Sequence, residues 1–212
     1  MPKKSAQLLL FRPSKAGRPR VPGSVSHLRR PSFPARFPVH VTLRVRSSVW
    51  NLRSRRCFRA LGKAIEQGRD RFGFRLVHYS VQGNHLHFIA EAPGAQGLAR
   101  GMQGLAIRMA RRLNKVTGQV GPVFASRYHA VVLRSPTQVA NAIGYVINNY
   151  ALHRARAQAE DRDHGQPRGG AAPDRFGSLG SGVPGAAPQG WLLREGWRRA
   201  RHRPARPSGS PA

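Results

Sequence analysis

The stretch Phe74-Arg-Leu-Val-His-Tyr-Ser-Val-Gln-Gly-Asn-His-Leu-His-Phe-Ile-Ala-Glu91 decides the fold. Residues 74–81 and 85–91 are two strand-length apolar runs, and Gly83-Asn84 between them is a turn signal, so the pair reads as a β-hairpin. Outward on the N-terminal side, Val39-His-Val-Thr-Leu-Arg-Val45 alternates apolar and polar residues and predicts a strand. Between that strand and the hairpin, Cys57, Leu61 and Ile65 recur every four residues among cations, which predicts a helix over about 51–71. Beyond the hairpin, Leu98, Met102, Leu105, Met109 and Leu113 line one side of a helix that stops at 114–118. A further strand follows at 127–133, and a last helix runs from 137 to about 153. The order β-α-β-β-α-β-α predicts an α+β, ferredoxin-like split βαβ fold with an extra helix, an antiparallel sheet and helices on one face.

Composition sets the class of partner. The 212 residues carry 37 Lys and Arg against 8 Asp and Glu, a formal charge of +29. Such an excess points to a polyanion, and nucleic acid is the first candidate. A hydrophobic share of 40% suffices for one real core. The single cysteine, Cys57, excludes a disulfide framework and a Cys-based zinc site and reads as a small buried hydrophobe. No apolar run approaches the roughly 20 residues that span a bilayer, and Leu8-Leu9-Leu10-Phe11 is too short for a signal-peptide core. A cytoplasmic protein with no membrane partner is expected. With eight carboxylates in all, chemistry built on paired acids starts at a disadvantage.

Proline marks the domain boundaries. Of 17 prolines, seven precede residue 39 and seven follow residue 153. The compact domain is expected at 39–153, with a basic Pro-rich arm at 1–38 and a Gly/Pro/Arg-rich tail at 154–212, both mostly disordered. Trp191, Leu192, Leu193 and Trp197 form an apolar island in the tail that could dock. Sixteen cations precede Glu66 and eleven follow His153, so the charge sits mostly outside the central part of the domain.

His85-Leu86-His87 places two imidazoles at i and i+2, on one face of a strand, with Leu86 and Phe88 facing the core. Two histidines on a polar face are commonly structural unless another element completes a site. The last helix offers a completion. Val139, Ala142, Ile143, Val146, Ile147 and Tyr150 form its apolar stripe, whereas Tyr145 falls roughly 130° from the stripe's centre, with Asn149 one turn on. Tyr150 is thereby explained by packing, and Tyr145 is not. A phenol and a carboxamide at this spacing can present a nucleophile and a neutral oxygen ligand together. A tyrosine hydroxyl can attack a phosphodiester when a metal withdraws charge from the phosphate. That chemistry needs one metal, few carboxylates, one tyrosine and much positive charge.

At these residues the chain resembles the HUH single-tyrosine transposases, and among them the REP-associated tyrosine transposases. The motifs are His40-Val-Thr-Leu-Arg44, Gly83-Asn-His-Leu-His87, Arg127-Tyr-His129 and Tyr145-Val-Ile-Asn-Asn149, in the family's order across the compact domain. The resemblance implies metal-dependent cleavage and rejoining of single-stranded DNA near a hairpin, through a 5′-phosphotyrosine intermediate. By matching position it makes His85 and His87 metal ligands, Asn149 the third ligand, Tyr145 the nucleophile, and Mg²⁺ or Mn²⁺ the cofactor. The family's helix commonly continues Asn-Pro, whereas here Tyr150 follows Asn149; this makes Tyr150 an alternative nucleophile, against which the helical phase argues.

For DNA contact, Arg108, Arg111, Arg112 and Lys115 form a basic stripe on the second helix, with no acid among them. Phosphate contacts of this kind set register rather than sequence. Arg127, Tyr128 and His129 are further candidates for DNA contact. His40, His78 and His129 stay closer to structural roles, and Trp50 is expected in the core. A homodimer is open to the chain, as is a domesticated transposase that no longer mobilises anything. The alternative from another class is a non-catalytic nucleic-acid-binding module on the same fold. Such a sheet would carry stacking aromatics, where this one has His85, His87, Ile89 and Glu91.

Overall fold

The computed structural model describes residues 31–160 and 174–201, with side chains described except at 149–160 and 201. The first 30 residues of the expected arm, and 161–173 and 202–212 of the expected tail, lie outside this set. The elements run β1 (Val39–Arg44), α1 (Arg55–Gly68), β2 (Asp70–Arg71), β3 (Phe74–Val81), β4 (His85–Glu91), α2 (Ala95–Thr117), β5 (His129–Val132) and α3 (Pro136–Glu160). One π-helical turn (Leu192–Gly196) then leads into α4 (Trp197–Arg201). The chain is an α+β protein with one five-stranded antiparallel sheet in the order β2-β3-β4-β1-β5. β4 lies between β3 and β1, which is the split βαβ arrangement. The two-residue β2 is an addition, made where Gly73, at φ +79, turns the chain back from β2 into β3.

Periodicity explains the main core. Val39, Val41 and Leu43 of β1 and Leu86, Phe88 and Ala90 of β4 face Cys57, Leu61 and Ile65 of α1. Leu98, Met102, Leu105, Met109 and Leu113 of α2 close the same cluster. Ser54 caps α1 by accepting from the Cys57 amide, and Gly118, at φ +68, ends α2 in the left-handed conformation. Gly101 is required where α2 crosses β3, because a Cβ there would overlap the Phe74 ring.

Three expectations are corrected. Helices do not all share one face: α1 and α2 cover one side, while Val139, Ala142, Ile143 and Val146 of α3 pack on Val77 and Ile89 of the other. Alternation alone cannot say which side of a two-sided sheet a following helix takes, and here Val77 and Ile89 supply a second apolar patch. The boundary at 38 is too late, since Phe33 is buried in the main core. Trp50 is exposed at 44% rather than buried.

The tail also differs from expectation, because residues 174–201 are packed on the domain. Phe176 joins the main core, and Leu192, Leu193 and Trp197 join the α3 cluster, so the apolar island docks while its Trp191 stays exposed. Residues 176–186 run along β3: Val81 donates to the Phe176 carbonyl, Ser178 to Tyr79 and Ala186 to Leu76. These bonds satisfy backbone groups that a strand edge would expose. Two of the eight carboxylates anchor the segment. Asp174 takes both guanidinium nitrogens of Arg53 at 2.8 Å each. Glu91 accepts from the amides of Gln189 and Gly190 at 2.9 and 2.7 Å and from Arg75 at 3.1 Å. Composition reads this stretch as disordered because its partners lie about a hundred residues away in sequence.

Candidate active site

Strand register builds the site. His129, Thr42, His87 and Ser80 form one line across β5, β1, β4 and β3, all on the face that carries α3. The next line holds Val131, His40, Ile89 and His78. α3 covers the β3–β4 half of this face and leaves His129 and Val131 on β5 exposed. Where covered and open halves meet, Tyr145 stands over the histidines. Its ring centroid lies 5.1 Å from that of His87 and 5.9 Å from that of His40, both edge-on. His85 sits 4.8 Å from His87 on the same strand, also edge-on. Tyr145 is 41% exposed, against 0% for Val139 and Val146 in the stripe, so it packs on the site and not in the core.

The imidazole nitrogens have definite partners. Asn84 Oδ1 accepts from His85 Nδ1 at 2.8 Å. Nδ1 of His87 lies 3.3 Å from Thr42 Oγ1 and 3.3 Å from His40 Nε2. Burial, with repulsion from His129, pushes the pKa of His40 below its ordinary value, and burial does the same to His78 beside Ser178. Burial thus biases His40 and His78 towards the neutral imidazole.

Of the expected site residues, the fold brings His85, His87 and Tyr145 together. The backbone at Asn149 belongs to α3, and its side chain, like that of Tyr150, lies outside the described set. Arg127 is exposed just before β5, and His129 faces the open half-sheet. Tyr128 packs against the main core instead, because it falls on the other parity of the strand. Arg108, Arg111, Arg112 and Lys115 do not join the site: α2 lies across the sheet from the histidines. Arg108 donates to the Gly104 carbonyl and Arg112 to Gln67, and both are half-buried, whereas Arg111 and Lys115 are exposed. Sequence reasoning underrated His40 and Thr42. The available signal was their i, i+2 spacing on β1, the same as that of the two histidines on β4.

On its outer flank Tyr145 borders an open groove of about 480 Å³ between α3 and α4. Thr137, Asn141, Gly144 and Asn148 line it from α3 and Ala200 from α4. Among the described residues no three His, Cys, Asp or Glu side chains converge on a metal position. Those residues also include no helix long and apolar enough to cross a membrane.

Fold and site together define an α+β protein whose sheet presents a His-Leu-His strand to a helix-borne tyrosine. No protein-family model and no curated protein matches the chain. Among solved structures it is similar to a REP-associated tyrosine transposase bound to a REP hairpin, at 16% identity over 71% of this chain and 98% of that one, with a TM-score of 0.49. It is also similar to a Deinococcus radiodurans protein described as a "putative transposase", at 13% identity over 68% of this chain and 98% of that one, with a TM-score of 0.37.

Proposed function

We propose that this chain cleaves and rejoins single-stranded DNA at hairpins through a 5′-phosphotyrosine, as a single-tyrosine HUH enzyme of DNA transposition or REP-element processing. The observation that carries the reading is the edge-on approach of the Tyr145 ring to His87, 5.1 Å between centroids, from a different element of the fold. A nucleophile-bearing side chain and a pair of imidazoles meet on the inner strands, where the cover of α3 over the sheet ends. The donor set suits a divalent ion: with Nδ1 of each histidine engaged by protein, the nitrogen that would hold metal is Nε2 in both. Mg²⁺ or Mn²⁺ on His85, His87 and Asn149 would draw charge from the phosphate and stabilise the transition state.

The chain's own residues supply the remainder. Tyr145 gives up its phenolic proton and its oxygen bonds to phosphorus, while the bond from phosphorus to the 3′ oxygen breaks and that strand leaves with a 3′ hydroxyl. Attack by a 3′ hydroxyl on the phosphotyrosine reverses the step and returns the phenol, so no nucleotide cofactor is consumed. The groove beside Tyr145 offers amides and small side chains to the strand, and the open half-sheet with His129 offers a second wall.

The test is incubation of the full chain with labelled single-stranded hairpin oligonucleotides and Mg²⁺ or Mn²⁺, followed by a denaturing gel. A covalent adduct is expected, lost in Tyr145→Phe and in His87→Ala and kept in Tyr150→Phe. An adduct that survives Tyr145→Phe and vanishes in Tyr150→Phe overturns the assignment of the nucleophile. Salt-sensitive binding with no adduct on any hairpin favours a non-catalytic binding module instead.

A further inference from the structure

We propose that His40 and Thr42 are positioning residues that hold the imidazole of His87 with its proton on Nδ1, making Nε2 the ligating nitrogen. The inference rests on the reading of His85 and His87 as metal ligands. A neutral imidazole has one N–H and one lone pair, and in water it favours the proton on Nε2. Ligation through Nε2 requires the opposite tautomer, so something must hold the proton on Nδ1.

The structure places two groups that can accept it: the Thr42 hydroxyl oxygen, and Nε2 of His40 when the proton of His40 is on its own Nδ1. Thr42 is the cross-strand partner of His87, and its Oγ1 lies 3.3 Å from Nδ1. His40, two residues earlier on the same face of β1, brings Nε2 to 3.3 Å from the same nitrogen. The ring has little freedom to turn away. His87 is 4% exposed and is bracketed by His85, His40 and Tyr145 at 4.8, 5.4 and 5.1 Å between centroids. His85 has its counterpart in Asn84, whose Oδ1 accepts from Nδ1. His40 is not a third ligand in this arrangement. Its Nε2 faces Nδ1 of His87, and no three His, Cys, Asp or Glu converge among the described residues.

Partners of this kind change metal affinity by roughly 10- to 100-fold. The experiment uses the full chain labelled with ¹⁵N-histidine, first without metal at alkaline pH, where imidazole nitrogen shifts report the tautomer. His87 is expected as the Nδ1–H form in the wild type and shifted towards Nε2–H in His40→Leu/Thr42→Val. His40→Gln, whose amide oxygen can accept from Nδ1, should restore the wild-type signature. Titration with Mn²⁺, read by electron paramagnetic resonance, should show affinity about tenfold or more weaker in the double variant and largely recovered in His40→Gln, with circular dichroism unchanged. An Nε2–H tautomer at His87 in the wild type overturns the inference. So does unchanged Mn²⁺ affinity in the double variant, or absence of Mn²⁺ binding by the wild type. If the tautomer and affinity respond as expected but no Tyr145 adduct forms on DNA, the positioning role stands and the cleavage reading falls.

Discussion

Replacing Glu91 by leucine should detach the segment that carries α4 from the domain. The Glu91 side chain is 5% exposed and accepts three hydrogen bonds, from the Gln189 and Gly190 amides and from Arg75. Bonds to a charged group contribute about 1.5–3 kcal/mol each, which would sum to roughly 4–9 kcal/mol if they were additive. They are not additive, because all three end on one carboxylate, and the loss saturates once the segment lifts and its amides meet water. Breaking a buried charged pair typically costs about 3–5 kcal/mol, and Arg75, 17% exposed, can recover part of its hydration. About 3 kcal/mol of destabilisation is therefore expected for Glu91→Leu, and about half of that for Glu91→Gln, which keeps one acceptor oxygen. Urea unfolding measures the loss, and limited proteolysis should cut the segment between Gly177 and Gly190 faster than in the wild type. Gly185→Ala is an independent route to the same state, since a Cβ there would overlap the Val77 carbonyl. Because Leu192 and Leu193 pack on the inner side of α3, both variants should also lower Tyr145 adduct yield. A loss below about 1 kcal/mol in Glu91→Leu, the size of one ordinary hydrogen bond, would refute the clamp. Unchanged proteolysis of the segment would refute it equally.

Two further outcomes follow. The lowered pKa of His78 means that the unfolded chain takes up this proton near the ordinary value of 6.5 while the folded chain resists it. Stability is thus present above that value and falls as pH drops through it, and His78→Gln should flatten the decline, measured by urea unfolding at a series of pH values; an unchanged slope would remove His78 from the account. On the far side of the sheet, Arg111→Ala/Lys115→Ala should reduce the salt dependence of DNA binding by about 1.4–1.8 in slope, roughly 0.7 per phosphate contact on a single strand and 0.9 on a duplex stem. Cleavage at saturating DNA should not change, and a reduced rate there would place these cations closer to the chemistry than the fold does.

The parts of this protein that were legible in its sequence are those whose causes are local. Alternation identified β1, two apolar runs around Gly83-Asn84 identified β3 and β4, spacing of three and four identified α1 and α2, and Gly118 marked where α2 stops. The i, i+2 placement of His85 and His87 was enough to put them on one face. Helical phase was enough to separate Tyr145 from the stripe that Val139, Ile143 and Val146 bury. Where the reading went astray, a distant partner was the reason. Charge carries no information about which side of a sheet a helix covers, so only the fold places the basic stripe of α2 opposite the histidines. That Tyr128 packs against the main core is likewise set at a distance, because a strand's parity depends on a register that pairing with β1 sets.

By itself, then, the sequence determined the main elements of the domain, their order and the excess of positive charge, and it singled out His85, His87 and Tyr145, since each depends on neighbours within a few positions. Only the tertiary structure decided that α3 crosses to the histidine face, that His40 and Thr42 meet His87, and that residues 174–201 close the edge of β3. Those outcomes depend on pairings between residues 45 to 121 positions apart. Burial of Val77 and Ile89 drives the first, strand register produces the second, and the carboxylates of Asp174 and Glu91 secure the third.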